Sequence, residues 1–450
     1  MNDLHIKQQR KFKLSPPQLL VVGFSVMILI GTFLLMLPIA NHTGEALPFI
    51  DAFFTATSAT SVTGLVVRDT GTFFTTFGQV VILILIQIGG LGFMTMATLF
   101  ALVFKRRISL KDRLILQEAM NHGSMEGIVR LIRKVLYYSL IIEVSAAALL
   151  AMRFAVDMAI PKAIYFGLFH AVSMFNNAGF DLFGEFHSLT NYVGDPIVNV
   201  VVMLLIVTGG IGFIVIVDLV NYRKNRRLSL HAKVVLSMTA ALITIGFITI
   251  FIFEFTNKST LAPLSWGEKV WSALFQAVTS RTAGANTLDI GSMRQATQFF
   301  IITLMFIGAS PGSTGGGIKT TTFTILAGAV VAMITRKNDV ILFRYRLAQE
   351  RIFKAVTITM FALFWVIALA MILSVTETAP FLSILFEAMS AFGTVGLSMG
   401  LTADLSDVGK VFICLTMFVG RVGLLTLAYA LGPKKERELF RYPEGKIIIG

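Results

Sequence analysis

Long apolar runs, short polar turns rich in small residues, and basic stretches follow one another along this chain in a fixed order. The first apolar run carries no charged residue between Lys13 and Glu45, enough to cross a bilayer core of ~30 Å with some tilt. Runs of this kind open four units, at about 17–40, 133–156, 235–256 and 352–375. A second run closes each unit, at about 75–104, 194–220, 294–335 and 408–431. Between them lie four related blocks: "AFFTATSATSVTGL" (52–65), "GLFHAVSMFNNAGF" (167–180), "ALFQAVTSRTAGA" (273–285) and "ILFEAMSAFGTVGL" (384–397). In three of them a Phe (54, 169, 386) stands ten residues before a Gly (64, 179, 396), with a Ser (58, 173, 390) six before it. The third block keeps Phe275 and Gly284 but is one residue shorter. The four glycines are 115, 105 and 112 residues apart, which marks one unit written four times.

A block of roughly ten apolar residues cannot span the bilayer, so it dips in and returns. The pattern predicts an all-α polytopic membrane protein with four tandem helix–pore loop–helix repeats. Eight transmembrane helices and four re-entrant pore helices would then surround one pseudo-fourfold pore. The expected divisions are an N-terminal arm (1–14), repeat 1 (15–104), a linker (105–132), repeat 2 (133–220) and a linker (221–234). Repeat 3 (235–335), a linker (336–351), repeat 4 (352–431) and a tail (432–450) complete the chain.

Composition supports this class. Hydrophobic residues make up 55% and charged residues 14% of the 450, against about 45–50% and about 25% in soluble domains. The net charge of +13 does not mark a nucleic-acid binder, because 28 of the 38 Lys and Arg fall in the arm and in 105–134, 223–233, 336–354 and 434–446. Acidic residues dominate the opposite loops, such as "NHTGEALPFID" and "DLFGEFHSLTNYVGD". That asymmetry predicts cytosolic N- and C-termini in a multi-pass plasma-membrane protein. The first run is too long for a signal-peptide core of ~7–15 residues, so it is expected to stay as a helix. Cys414 is the single cysteine, which excludes an intrachain disulfide.

Non-helical backbone at membrane depth survives only where it lines water or is buried in protein. Four such turns entering from one side most economically share an axis, where their carbonyls replace the hydration shell of a dehydrated cation. Glycine suits backbone angles that a β-carbon forbids, and each half-helix aims its negative end at the pore. The expected filter residues are Val62, Thr63 and Gly64; Asn177, Ala178 and Gly179; Thr282, Ala283 and Gly284; and Thr394, Val395 and Gly396. The six histidines are scattered, so no side-chain metal site is expected. An intramembrane enzyme would need a nucleophile–base pair or a metal set, and neither is found.

The fourfold unit, the turns "TSVTGL", "NNAGF", "TAGAN" and "TVGLS", and an interrupted second helix in the third repeat resemble the superfamily of K⁺ transporters that includes TrkH, KtrB and plant HKT proteins. The resemblance covers essentially the whole chain. With eight spans and no extra N-terminal helix pair, it points within that superfamily to the KtrB/KtrD type of translocating subunit. It implies a homodimeric, K⁺-selective subunit, often Na⁺-stimulated, without a covalent cofactor. It also implies a cytosolic nucleotide-binding regulatory ring of KtrA/KtrC type, with the nucleotide on that partner. In the superfamily a Ser in place of the first-repeat glycine goes with Na⁺ transport; here all four positions are glycine, which implies K⁺.

The stretch "GASPGSTGGGIKTTT" nearly spells a phosphate loop, but Ile318 separates Gly317 from Lys319 and no strand precedes it. The resemblance places an intramembrane gate there: Gly308, Ala309, Ser310, Pro311, Gly312, Ser313, Thr314, Gly315, Gly316 and Gly317. Arg421 matches the superfamily's arginine in the last helix, and with Lys319 it is a candidate charge at the pore or gate. Glu143 and Glu254 are expected to make interhelical hydrogen bonds, Arg281 to brace the third turn, and the pairs Gly89/Gly90 and Gly209/Gly210 to pack helices closely. A coupled Na⁺/K⁺ or H⁺/K⁺ symporter is the alternative, although such transporters usually show inverted repeats where these are parallel. The basic loops are expected to meet the regulatory ring and anionic membrane lipids. The apolar end of the tail, "KIIIG", is expected to dock at a dimer interface.

Overall fold

The computed structural model describes residues 15–92, 95, 128–432 and the single positions 443, 445 and 448. The N-terminal arm, most of the 105–132 linker and most of the tail lie outside the described residues.

Among the described residues four single helices are long and apolar enough to cross a membrane: α1 (Pro16–Leu35), α4 (Ile128–Phe154), α8 (Leu230–Glu254) and α12 (Gln349–Thr376). At ~1.5 Å per residue the shortest reaches ~30 Å. Each is followed by a short helix of 13 to 16 residues: α2 (Phe49–Ser61), α5 (Ile160–Phe175), α9 (Trp266–Thr279) and α13 (Phe381–Gly393). These end inside the protein. Their motif phenylalanines, Phe54, Phe169, Phe275 and Phe386, are all 0% exposed.

The second run of each unit is where the sequence expectation needs correcting. None of them is one straight helix among the described residues. α3 (Thr76–Leu91) stops at Gly92, which has φ 85°. α6 (Pro196–Gly210) and α7 (Phe213–Asn225) meet at 102° around Gly212, and α14 (Asp407–Val422) and α15 (Leu424–Leu431) meet at 95° around Gly423. α10 (Gln295–Phe306) and α11 (Thr320–Ile334) are separated by residues 307–319. Gly212 and Gly423 sit at φ 91° and 89°, left-handed values that end an α-helix and that side chains resist. Apolarity runs on through the breaks, so hydropathy alone does not reveal them. The 336–351 linker also holds structure, a small hairpin of β1 (Ile341–Leu342) and β2 (Tyr345–Arg346).

The first and last units meet. Gln18 Nε2 donates to the Ala430 carbonyl at 3.1 Å. Lys410 on α14 reaches Asp51, in the first turn of α2, at 2.7 Å, and Arg68 holds the other carboxylate oxygen at 3.0 Å. The apolar core falls into two main halves, one around α1 and α3–α6, the other around α8, α10 and α12–α14. Of the short helices, α5 packs into the first half and α13 into the second, while α2 and α9 contribute to both.

Candidate ion pathway

Each short helix ends in the same backbone device. Val62, Asn177, Thr282 and Thr394 have φ of 60°, 59°, 72° and 47°, and two residues later Gly64, Gly179, Gly284 and Gly396 have φ of 91°, 70°, 78° and 90°. A left-handed non-glycine residue costs about 1–3 kcal/mol, so this strain is incurred four times over. The intervening Thr63, Ala178, Ala283 and Val395 are fully buried.

The four turns close into a ring. A β-carbon on Gly64 would strike the Ala178 carbonyl, one on Gly179 that of Ala283, one on Gly284 that of Val395, and one on Gly396 that of Thr63. Every one of these approaches is within 2.6 Å of the carbonyl oxygen, so any side chain there would displace the next turn. All twelve residues expected as filter are brought together here.

The repeated frame of Phe, Ser and Gly has a mechanical reading that the sequence alone does not give. Ser58 Oγ accepts from the Gly64 amide and Ser390 Oγ from the Gly396 amide, both at 3.1 Å. Ser173 Oγ donates to the Phe180 carbonyl at 2.6 Å, and Thr279 Oγ1 to the Ala285 carbonyl at 2.5 Å. Thr279 lies five residues before its glycine, which is how the shorter third block keeps the brace. The residue after each motif Phe forms a second layer in three of the turns. His170 Nδ1 donates to the Phe166 carbonyl at 2.7 Å, leaving Nε2 to accept from the Leu182 amide at 3.4 Å. The Gln276 amide oxygen faces the Thr287 and Leu288 amides at 3.2 Å. Glu387 accepts from Ser398 Oγ at 2.9 Å and from Thr402 Oγ1.

Outside the ring lies a cavity of about 320 Å³ lined by the four glycines and by Asp69, Asp181, Asp289, Asn286, Ser398 and Thr402. Asp69 and Asp289 follow their glycines by five residues and Asp181 by two, an irregular spacing that hides the cluster in the sequence. Burial, reinforced by the Asp69 charge, pushes the Asp181 carboxyl up to about 7 against the pull of the Phe183 amide.

On the other side the 307–319 loop lies directly against the ring. Its amides at Ser310 and Thr314 donate to the Gly210 and Gly209 carbonyls at 3.0 and 3.3 Å, and its Gly312 carbonyl accepts from Phe213 at 2.9 Å. A β-carbon on Gly315 would meet the Thr282 side chain, and one on Gly316 that of Thr394. Ser310 Oγ and Thr320 Oγ1 close the loop's neck at 2.9 Å. Lys319 Nζ donates to the Gly315 carbonyl at 2.7 Å. Arg421 donates to the carbonyls of Thr314 and Gly89, and to that of Gly90 at 2.8 Å. Both candidate cations thus hold the loop, and Arg421 ties it to the carbonyl end of α3, the end of a helix that favours positive charge. In register, Arg421 stands where Gly90 and Gly210 stand in the first two units. Beyond the loop is a second cavity of about 280 Å³, lined among others by Ser313, Lys319, Lys354, Arg421 and Tyr429.

The other buried charges sit aside from this line. Glu143 receives both contacts of Gln87 Nε2 at 3.1 Å and one from Asn176 at 3.4 Å, joining α4, α3 and the end of α5. Glu254 takes the Arg294 amide at 2.9 Å and Thr297 Oγ1 at 2.5 Å, joining α8 to α10. Both are interhelical, as expected. Arg281 is buried beside the third turn, but its Nε has no hydrogen-bond partner among the described residues, so the expected bracing is not made through that atom. Gly89 and Gly209 pack against the ends of α2 and α5, at the Thr60 and Phe175 carbonyls. Among the described residues no group of three or more His, Cys, Asp or Glu is placed to hold a metal ion.

The geometry defines a class: a multi-pass helical membrane protein with strained glycine turns at its centre and an irregular loop packed beneath them. The chain belongs to the TrkH family, described as cation transport protein, whose family model matches residues 5–436. It is 47% identical over 438 residues to the Ktr system potassium uptake protein B of Bacillus subtilis, covering 97% of both chains. It is 42% identical over 451 residues to the potassium/sodium uptake protein NtpJ of Enterococcus hirae, covering 99% of both. The crystal structure of the potassium transporter TrkH from Vibrio parahaemolyticus has the same fold, with a TM-score of 0.73 at 18% identity over 94% of this chain and 86% of that one.

Proposed function

We propose that this protein takes up K⁺ across the cell membrane through a pore formed by four repeats, with the glycine ring as its selectivity filter. The closed ring of Gly64, Gly179, Gly284 and Gly396 is the single observation that carries the reading. A ring of fixed carbonyls can replace a cation's hydration shell, and the braces from Ser58, Ser173, Thr279 and Ser390 hold it at one size. The acidic outer cavity concentrates cations before they dehydrate. Inside the ring, the 308–317 loop is the gate. Lys319 and Arg421 occupy its carbonyls and place two positive charges on the path, so ions pass only when the loop withdraws.

Relatives named for potassium uptake and for potassium/sodium uptake support K⁺ as the ion and an association with Na⁺. The acting form is a homodimer whose basic face carries a nucleotide-binding regulatory ring, with both termini on the cytosolic side. In the isolated chain the tail residue Ile448 is 99% exposed, which suits a tail that is covered by a second protomer. A coupled Na⁺/K⁺ or H⁺/K⁺ symporter is the alternative reading. Rubidium tracer uptake into proteoliposomes, with Na⁺ competition, tests the proposal. Saturable rubidium uptake that excess K⁺ abolishes and excess Na⁺ barely touches is expected. Uptake that stops without a Na⁺ or proton gradient would favour the symporter, and equal competition by Na⁺ would remove the filter assignment.

A further inference from the structure

The hairpin after α11 has a tip that its own turn does not explain. β1 and β2 pair Ile341 with Arg346 and Leu342 with Tyr345, leaving Phe343 and Arg344 as a two-residue connection. Both are left-handed, at φ 48° and 68°. A turn of this hand is made most cheaply by Asn-Gly or another glycine pair. Here a phenylalanine and an arginine hold it, and strain retained in this way points to a demand from outside the turn.

The base of the hairpin is anchored. The Leu347 amide donates to the Val340 carbonyl at 2.9 Å. Val340 and Leu347 are buried together with Ala332 of α11, against Leu342 and Ile352. The tip is not buried: Phe343 is 49% exposed, flanked by exposed Ile341 and Tyr345. Arg346 is spent on Asp339 at 2.8 Å, whereas Arg344 makes no ion pair among the described residues.

The position of the hairpin identifies what the tip meets. α11 exposes Val330, Val331, Met333 and Ile334 up to its last residue, and α12 exposes Phe353 and Val356 from its second turn. Two lipid-facing surfaces therefore end on either side of the hairpin, with Arg336 and Lys337 directly after α11. That places the hairpin at the bilayer boundary, where aromatic rings settle and basic side chains meet anionic headgroups.

We propose that the 339–347 hairpin is an anchor for anionic phospholipid. Phe343 and Tyr345 enter the boundary between headgroups and acyl chains, and Arg344 takes a lipid phosphate, with Arg336 and Lys337 adding to the local field. This inference rests on the chain being a membrane protein and not on the filter or gate assignments.

The test uses the full chain in nanodiscs of phosphatidylcholine alone or mixed equimolar with phosphatidylglycerol. Phe343→Trp introduces a reporter, read as the difference from the parent protein. Bromination of phosphatidylglycerol should quench the added tryptophan more than bromination of phosphatidylcholine at equal content. A second variant, Phe343→Asn/Arg344→Gly, keeps the turn with residues that suit it and removes the tip chemistry. Native mass spectrometry should show about a fivefold loss of retained phosphatidylglycerol, the factor matching ~1 kcal/mol for one basic residue at the surface, with thermal stability unchanged or raised. Equal quenching by the two lipids, no quenching, or full lipid retention by the double variant would overturn the proposal and give the tip to a protein partner or to water.

Discussion

Gly64→Ser is the most incisive single change. At φ 91° a side chain brings about 1–3 kcal/mol of backbone strain. Its β-carbon also strikes the Ala178 carbonyl and lies 3.3 Å from the Gly179 Cα, so the second turn has to move. The fold tolerates the strain, since four non-glycine residues of the same ring already bear it. If the ring is the filter proposed above, its ion discrimination does not, because the new atom displaces the carbonyls on which it would depend. A loss of about 1–2 kcal/mol in the preference for K⁺ over Na⁺ corresponds to ~5–30-fold. Gly44→Ser is the control, with φ 71° and nothing within 4 Å of the added carbon. Rubidium and sodium tracer uptake into proteoliposomes, normalised to folded protein by size exclusion, gives the ratio. An unchanged ratio in well-folded Gly64→Ser protein would refute the assignment of the ring as filter.

Deleting Ser310 to Gly315 should raise K⁺ flux and weaken its dependence on a cytosolic partner; lower flux through a folded deletion would make the loop structural. Asp181 is neutral below about 7 and charged above it, so with this cavity on the outer side, as the proposed function has it, the cavity loses negative charge as the outside is acidified. The KM for K⁺ should therefore rise as external pH falls through 7, and Asp181→Asn should flatten that dependence at the high-KM level; a variant with the parent's pH profile would remove Asp181 from the pathway. Removing residues 440–450 should shift the protein from dimer to monomer by light scattering, and a fully dimeric truncation would end the tail's role. Charge reversal at Arg223, Lys224, Arg226 and Arg227 should abolish binding of the regulatory ring at physiological salt, and retained binding would place the docking site elsewhere.

The sequence carried most of the central site because the same local problem is solved four times. A repeated Phe, Ser and Gly is visible in a single chain without any alignment, and those residues meet where the repeat suggests. The glycine breaks at Gly92, Gly212 and Gly423 were hidden because Leu, Ile and Phe continue on both sides, so hydropathy sees one segment where the backbone makes two. The polar residues after the motif Phe form no visible pattern because they differ in kind: His170, Gln276 and Glu387 share a position, not a side chain. The outer aspartates were hidden by unequal spacing, since loops of different length deliver them to one cavity. Arg421 was legible as a membrane charge, but its three carbonyl partners come from α3 and the 307–319 loop, a long-range contact that no local pattern encodes.

The glycine ring also has a sense of rotation. Each turn is seated on the next in chain order, and the fourth returns to the first. A displacement anywhere is handed on in one direction and comes back to its origin. The aperture is therefore a collective quantity, one value shared by four turns of different sequence. Because all four belong to a single polypeptide, a substitution enters one quarter only, yet its effect is averaged over the circuit. The side chains around the ring differ from turn to turn, while each of the four glycines is seated on the carbonyl of the next turn.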